Sequence, residues 1–224
     1  MPQSPIAAII FDLDGTLIDS APDIAAAVNA HFAASGWPSL TTEYVAGFIG
    51  KGPRRLLLDI LVDQGLPHDE ETVSTAVAAY LDNYGRDPAS RTEFFAHVRD
   101  DLEALIAAGY RLGICTNKPH GLTGEILEIL DIGRFFESAI GGDAVPVSKP
   151  DPGHLLAVVD EMELNPDAIA YVGDSTVDLE TAERAGIAFY AVSWGTGAAL
   201  PVNDAQRLGR LADLIERLAV PSPA

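Results

Sequence analysis

Apolar positions follow a helical period in the first part of the chain and a mixed period in the rest. After a first apolar run at residues 6–10, residues 20–97 carry apolar side chains at helical spacing, in 24–32, 56–62 and 73–81. From residue 98 onward, helical stretches alternate with short apolar runs. The predicted helices are 101–108, 122–130, 154–162, 179–185 and 206–218, and the predicted strands are 110–115, 138–140, 168–172 and 188–192.

Alternating helices and strands predict an α/β fold, a doubly wound parallel sheet covered by helices on both faces. The sheet domain would comprise residues 1–19 and 98–224, and an inserted α-helical domain would comprise residues 20–97. With 224 residues and 48% hydrophobic content, the chain can fill a core of this size. The Pro-rich end, residues 221–224, is expected to be frayed.

Polar side chains follow three of the apolar runs. Asp12 and Asp14 follow the first run, Thr116 and Asn117 follow the second, and Asp174 follows a later one. Because side chains alternate in an extended backbone, Asp12 and Asp14 would lean to the same side. Ligands of doubly wound sheets bind at the carboxyl ends of the strands. We therefore expect these side chains to meet at one edge of the sheet.

Asp12 and Asp14 form the most informative local pattern, two carboxylates one residue apart before Gly15. Two anions this close repel each other unless a cation or a shared proton offsets their charge. A bound divalent metal is therefore a natural interpretation. An acidic turn that caps a helix explains these residues equally well when they are taken alone.

The charge of the chain limits its partners. A formal net charge of -19 argues against nucleic acid and anionic membrane surfaces as partners. Only Lys51, Lys118 and Lys149 are lysines, and each lies in a segment marked by Gly or Pro. Among them Lys149 is favoured as a functional residue, and the other two are favoured less.

The location of the protein is predicted from what the sequence lacks. There is no run of about 18 apolar residues and no basic N-terminal region followed by an apolar segment, so the expected location is the cytoplasm. The single cysteine, Cys115, lies in an apolar run. It is predicted to be a buried small hydrophobic residue rather than a catalytic thiol.

Taken together, the motifs resemble the haloacid dehalogenase superfamily of phosphotransferases. Four segments carry the resemblance in the expected order and spacing across nearly the whole chain: Asp12 to Thr16, Thr116-Asn117, Lys149-Pro150, and Gly173-Asp174-Ser175 with Asp178. Within the superfamily, the chain looks most like phosphoglycolate phosphatases and relatives with a helical cap. It departs from them at Phe95-Ala96-His97-Val98, where relatives commonly show Phe-Pro-Gly-Val, so we expect the second hinge of the cap to have a different geometry.

This resemblance implies an enzyme that hydrolyses phosphoric monoesters with Mg²⁺ as cofactor. Asp12 would be the nucleophile and would form an aspartyl-phosphate that water then hydrolyses. Asp14 would first protonate the leaving oxygen and then activate water. The carboxylates of Asp12 and Asp174 and the backbone carbonyl of Asp14 would hold the metal.

The resemblance also assigns residues to the phosphoryl group. Thr116 and the backbone amide of Asn117 would donate hydrogen bonds to it, and Lys149 would supply positive charge. Asp178 would hold Lys149 or a metal-bound water. An equally good interpretation of Asp178 is an acid that complements the N-terminal dipole of a helix.

The helical insert would act as a cap that sets the choice of substrate. Lys51 and Arg54 are candidate contacts for a carboxylate on a small anionic phosphate ester, with 2-phosphoglycolate the first substrate to try. A solvated basic turn is an equally good interpretation of these two residues. The oligomeric state is not predicted.

Four other functions compete with this one. A sugar-phosphate phosphomutase uses the same core. A non-catalytic phospho-acceptor signalling protein has a similar set of aspartate, hydroxyl and lysine, but usually lacks a large insert after its first strand. Dehalogenase chemistry does not need an acid at the position of Asp14, and an inactive binding protein has no need of an intact set of site residues.

Overall fold

The computed structural model describes residues 6–219, so the end predicted to fray lies outside the described range. Eight strands are present within it: β1 (Ala8–Phe11), β2 (Ile18–Asp19), β3 (Glu93–Phe94), β4 (Arg111–Cys115), β5 (Ser138–Ile140), β6 (Ile169–Gly173), β7 (Ala188–Val192) and β8 (Arg207–Leu208).

The same residues contain nine α-helices: α1 (Ala21–Ala34), α2 (Thr42–Ala46), α3 (Pro53–Asp63), α4 (Glu70–Arg86), α5 (Val98–Ala107), α6 (His120–Ile129), α7 (Pro152–Glu161), α8 (Thr176–Ala185) and α9 (Asp213–Ala219). Across residues 6–219, none of the helices has the length and apolar character needed to span a membrane.

Six strands form one parallel sheet in the order β5-β4-β1-β6-β7-β8. The first strand, β1, lies at its centre between β4 and β6, and Ile9 pairs with Leu112 on one side and with Ala170 on the other. All four residues of β1 are buried, as expected for a parallel strand with helices on both faces. The predicted doubly wound α/β fold is confirmed.

Side chains of β1 alternate between two apolar cores. Ile9 and Phe11 pack in a core that continues into the first four helices, whereas Ile10 packs with residues of α7 on the opposite face. Each fully buried side chain of this size stabilises the fold by about 1.5–3 kcal/mol. Cys115 is fully buried in the second core, which confirms the prediction of a small buried hydrophobic residue.

Four helices, α1 to α4, occupy the segment between β2 and β3, which we call the helical insert (residues 20–92). The short strands β2 and β3 pair antiparallel where the chain leaves the sheet domain and returns to it, with Ile18 opposite Phe94. The sequence did not indicate this pair, because a strand of two residues has no recognisable alternation. Near the return, His97 has a left-handed backbone with φ of 67°. The proposed domain boundaries at residues 19/20 and 97/98 stay a prediction.

The prediction of a final helix over 206–218 is wrong in its first half. Arg207 and Leu208 instead form β8, which pairs with β7, and the helix begins only at Asp213. The Asp213 carboxylate accepts hydrogen bonds from the backbone N–H groups of Gly209 and Arg210, which ends the strand and starts the helix. Leucines at 208, 211 and 218 imitate helical spacing because all three pack in or against the same apolar core.

Candidate active site

The carboxyl ends of three neighbouring strands lie at the same edge of the sheet. Asp12 follows β1, Thr116 follows β4, and Asp174 follows β6. The carboxylates of Asp12, Asp174 and Asp178 each offer an oxygen atom, and these atoms all lie within 4.8 Å of one another. The structure therefore brings together side chains from opposite ends of the sequence.

Lys149 lies at the centre of this group and is almost fully buried. Its Nζ atom is 2.9 Å from Oδ1 of Asp12 and 2.7 Å from Oδ1 of Asp178, and it donates a 2.9 Å hydrogen bond to the hydroxyl of Tyr171. Burial alone would lower the pKa of Lys149, but the two carboxylates outweigh burial and raise it. The two carboxylates therefore favour the charged form of this side chain beside Asp12.

Asp178 holds Lys149 and also starts a helix. Its Oδ1 atom accepts from Lys149 and from the hydroxyl of Tyr171, and its Oδ2 atom accepts from the backbone N–H and the hydroxyl of Ser175. Ser175 and Asp178 form the capping box of α8, so Asp178 contacts Lys149 and also caps the helix. With two donors on each oxygen, Asp178 has little capacity left for a metal ion.

Asp12 and Asp174 retain the capacity that Asp178 lacks. Among the described residues, no donor hydrogen-bonds Oδ2 of Asp12, and Asp174 accepts only from the hydroxyls of Thr16 and Thr196. Burial raises the pKa of Asp12 to about 8; Lys149 opposes this rise and the neighbouring carboxylates add to it. Burial also raises the pKa of Asp174 to about 6, with the charge of Asp178 adding to it. A divalent cation fits here because it would offset this crowding of buried negative charge.

Gly15 is the residue that lets Asp174 reach this position. Its backbone is left-handed, with φ of 84°, and a Cβ atom placed on it would lie 2.5 Å from Oδ2 of Asp174. A glycine is therefore required by conformation and by space at once.

Asp14 lies beside a second buried lysine. Its Oδ1 atom is 3.0 Å from Nζ of Lys118 and also accepts a hydrogen bond from the hydroxyl of Ser20. Lys118 in turn donates a 2.8 Å hydrogen bond to the hydroxyl of Tyr84 on α4 of the helical insert. The sequence pattern favours Lys118 less than Lys149 and contains no signal for Tyr84. The available signal was the position of Lys118, directly after Thr116-Asn117 in a chain with few lysines.

Thr116 and Asn117, which directly follow β4, make different hydrogen bonds. The side chain of Asn117 donates to the carbonyl of Lys149 and accepts from its N–H, each over 2.9 Å, and it also donates to the carbonyl of Gly50 in the helical insert. Thr116 is buried, and its hydroxyl accepts from the N–H of Lys118. Asn117 thus fixes the segment that carries Lys149.

Two cavities open on the site where the helical insert meets the sheet domain. The smaller, of about 30 Å³, is lined on the sheet side by Asp12, Asp14, Thr116, Asn117 and Lys118 and on the insert side by residues that include Ile24, Ile49, Gly50, Leu56 and Tyr80. The larger, of about 310 Å³, is lined by Asp14, Asp174, Ser175 and Thr196 together with Ser20, Glu43 and Phe95. Asp14 lines both cavities.

Lys51 and Arg54, the predicted contacts of the insert, line neither cavity. Both residues are exposed, and Arg54 pairs with Glu70 on α4. Their neighbours Gly50 and Gly52 do line the smaller cavity. The structure therefore brings the backbone of this turn to the site, but not its charged side chains.

Comparison with known proteins identifies the class to which this fold and site belong. Residues 9–192 match the haloacid dehalogenase-like hydrolase family, and the chain belongs to that family. The prediction made from the four motifs is thus confirmed. The expectation of an enzyme that hydrolyses phosphoric monoesters is confirmed as well.

Several relatives carry a more particular name. A phosphoglycolate phosphatase of Cereibacter sphaeroides is 38% identical over 94% of this chain and 98% of its own length. Phosphoglycolate phosphatase 1 of Pseudomonas aeruginosa is 36% identical over 88% of this chain and 72% of its own. A crystal structure described as a predicted phosphoglycolate phosphatase from Haemophilus somnus superposes with a TM-score of 0.82 at 28% identity, covering 95% of this chain and 98% of that one.

Proposed function

We propose that the protein is a Mg²⁺-dependent phosphatase that hydrolyses 2-phosphoglycolate through an aspartyl-phosphate on Asp12. The observation that carries the proposal is the 2.9 Å contact between Asp12 and the buried ammonium of Lys149, next to the carboxylate of Asp174. The names of the phosphoglycolate phosphatases among its relatives support the choice of substrate. The predicted cytoplasmic location stays a prediction.

In the first step an oxygen of Asp12 forms a bond to phosphorus while the bond from phosphorus to the ester oxygen breaks. The ester oxygen leaves with the electron pair of that bond and takes a proton from Asp14, which lines the same cavity. Lys149 remains beside Asp12 and offsets the charge of the phosphoryl group. Splitting the reaction in this way replaces one difficult displacement with two easier ones.

In the second step water attacks phosphorus and releases Asp12 as a carboxylate. Asp14, now without its proton, accepts a proton from that water and is restored. The hydroxyl of Thr116 and the backbone N–H of Asn117, at the end of β4, would donate hydrogen bonds to the phosphoryl oxygens.

Mg²⁺ would be held by the carboxylates of Asp12 and Asp174 and by the backbone carbonyl of Asp14, since Asp178 is already fully bonded. When bound, it supplies positive charge next to the phosphoryl group. Asp178 would act through Lys149, by fixing the position of the ammonium.

The helical insert would serve as the cap of a site formed by residues 1–19 and 98–224. Its contacts with Asn117 through Gly50 and with Lys118 through Tyr84 hold it over the smaller cavity. Closure excludes water from the ester and limits the leaving group to a few atoms. Lys51 and Arg54 stay candidate contacts only for a substrate that reaches beyond this cavity.

A phosphatase assay over small phosphate esters, with and without Mg²⁺, tests this function. We expect metal-dependent release of phosphate from 2-phosphoglycolate by the wild-type chain and none by Asp12→Asn, with both proteins giving the same circular dichroism spectrum. Retained activity in Asp12→Asn would refute the role of the nucleophile. Conversion of a hexose phosphate to an isomer without free phosphate would instead favour the phosphomutase.

A further inference from the structure

Lys118 is a buried cation to which the sequence motifs assign no task. Its ammonium has three N–H donors, of which one faces Oδ1 of Asp14 at 3.0 Å and another the hydroxyl of Tyr84 at 2.8 Å. The residues that the structure describes supply no acceptor for the third donor. A buried ammonium with a spare donor is suited to an anionic ligand.

The position of Lys118 indicates which part of a substrate would meet it. Lys118 lines the smaller cavity together with Asp14, the residue that under the proposed function protonates the leaving oxygen. Asp14 also lines the larger cavity, but Lys118 does not, so a leaving group that contacts Lys118 would enter the smaller cavity. Lys149 instead contacts Asp12, the residue that would carry the phosphoryl group, and does not line this cavity.

No other cation among the described residues lines this cavity. The residues of the helical insert that line the cavity are apolar or uncharged, and they include Ile24, Leu56 and Tyr80. A carboxylate placed here would lose its hydration and would find one positive partner, Lys118. Of the two candidate carboxylate contacts predicted from the sequence, Lys51 and Arg54, neither reaches the cavity.

We propose that Lys118 is the residue that determines specificity by binding the carboxylate of the leaving group, and that Tyr84 holds it in place. This inference rests on the proposed function and makes it more specific. In 2-phosphoglycolate one methylene group separates the carboxylate from the ester oxygen. Lys118 lies 3.0 Å from Asp14, so Asp14 can contact the ester oxygen while Lys118 contacts the carboxylate. Until the substrate arrives, Asp14 and Tyr84 provide the partners that a buried ammonium needs.

The experiment compares 2-phosphoglycolate with 2-hydroxyethyl phosphate, an ester of similar size with a neutral end. The kcat/KM values of both esters are measured for the wild-type chain, Lys118→Met and Tyr84→Phe. Arg86→Met is the matched control, because Arg86 lies on the same helix as Tyr84 but is exposed and paired with Asp82. We expect Lys118→Met to lower the preference for 2-phosphoglycolate over the neutral ester at least about tenfold, and Tyr84→Phe to lower it less. The preference of Arg86→Met should equal that of the wild type.

Each outcome decides for or against the inference. An unchanged preference in Lys118→Met overturns it while leaving the phosphatase function in place, and so does a loss of preference in Lys51→Met instead. A wild-type chain that hydrolyses neither ester overturns the proposed function together with the inference. If Lys118→Met does not fold, Lys118→Gln provides the same comparison, and competitive inhibition of the wild type by glycolate but not by glycolamide is the expected independent result.

Discussion

The side chain of Asn117 exchanges two hydrogen bonds with the backbone of Lys149, one in each direction and each 2.9 Å long. These two bonds connect Asn117 and Lys149, which are 32 positions apart and both lie outside the strands. A third bond, from Asn117 to the carbonyl of Gly50, attaches the helical insert to the same amide. One side chain thus connects the end of β4, the lysine of the site and the insert.

Asn117→Ala should lower both activity and stability. It leaves a buried N–H and a buried carbonyl of Lys149 without partners, which should reduce the free energy of unfolding by about 2–3 kcal/mol. Because Lys149 is then less well positioned, kcat for 2-phosphoglycolate should fall at least about tenfold. Urea unfolding and steady-state kinetics measure the two effects.

Asn29 provides a matched control for this prediction. It makes the same pair of bonds, each 2.8 Å long, with the backbone of Leu40 inside the helical insert. Asn29→Ala should therefore lower stability with kcat unchanged. If the two variants lose activity to the same extent, Asn117 has no special role in positioning Lys149.

Gly15→Ala should disrupt the proposed metal site while leaving the rest of the fold intact. The added methyl group would meet Oδ2 of Asp174 at 2.5 Å, so the carboxylate has to move. We expect a weaker apparent affinity for Mg²⁺ and a fall in kcat of at least about a hundredfold, since an ångström of displacement has effects of this size.

Gly109→Ala separates steric clash from backbone strain. Gly109 has φ of 95°, close to that of Gly15, but no atom lies within 4 Å of the position that an added methyl group would take. Both variants carry a strain of about 1–2 kcal/mol from the left-handed backbone. Only Gly15→Ala should change the Mg²⁺ dependence, and an equal change in Gly109→Ala would contradict the assignment of Asp174 to the metal.

The buried His154 should make the protein sensitive to acid. Burial lowers the pKa of His154 to about 4, and the charge of Lys149 contributes to this; Nε2 lies 3.2 Å from the carbonyl of Ile140. In the unfolded chain the pKa of this histidine is about 6.5, so it is protonated at a higher pH than in the folded protein. The free energy of unfolding should therefore decrease as pH falls from about 6.5 to about 4. Between about pH 7 and about pH 5 the expected loss is about 2 kcal/mol.

His154→Gln tests this dependence because glutamine keeps an N–H donor and does not titrate. Urea unfolding at about pH 7 and about pH 5 should show a smaller loss of stability for the variant than for the wild type. Equal losses in the two proteins would show that other groups cause the sensitivity to acid.

The sequence was sufficient to predict the parts of the site that follow strands. Asp12, Thr116 and Asp174 come directly after apolar runs, and parallel strands place their carboxyl ends at one edge, so order along the chain was enough to expect convergence. Lys149 was recognised because lysine is rare in this chain and because Pro150 follows it. Its partner Asp178 was open to two interpretations, and in the structure it contacts Lys149 and caps α8.

Contacts between the helical insert and the sheet domain could not be predicted in this way. The pairing of Lys118 with Tyr84 depends on how α4 packs over the sheet domain, and no local pattern records that packing. The glycines and cations of one turn pointed to Lys51 and Arg54, but that turn presents its glycines to the cavity and its cations to solvent. Thr196, which donates to Asp174, lies in a short 3₁₀ helix without any recognisable motif.

The proposed mechanism depends most on a covalent bond between phosphorus and Asp12, and borohydride trapping tests that bond directly. Enzyme mixed with 2-phosphoglycolate and Mg²⁺ is quenched with sodium borohydride, which reduces an acyl phosphate to an alcohol, and peptides containing residue 12 are then analysed by mass spectrometry. The mechanism predicts conversion of Asp12 to homoserine that requires both substrate and metal. Release of phosphate while Asp12 stays unmodified, or reduction of a different residue, would contradict it.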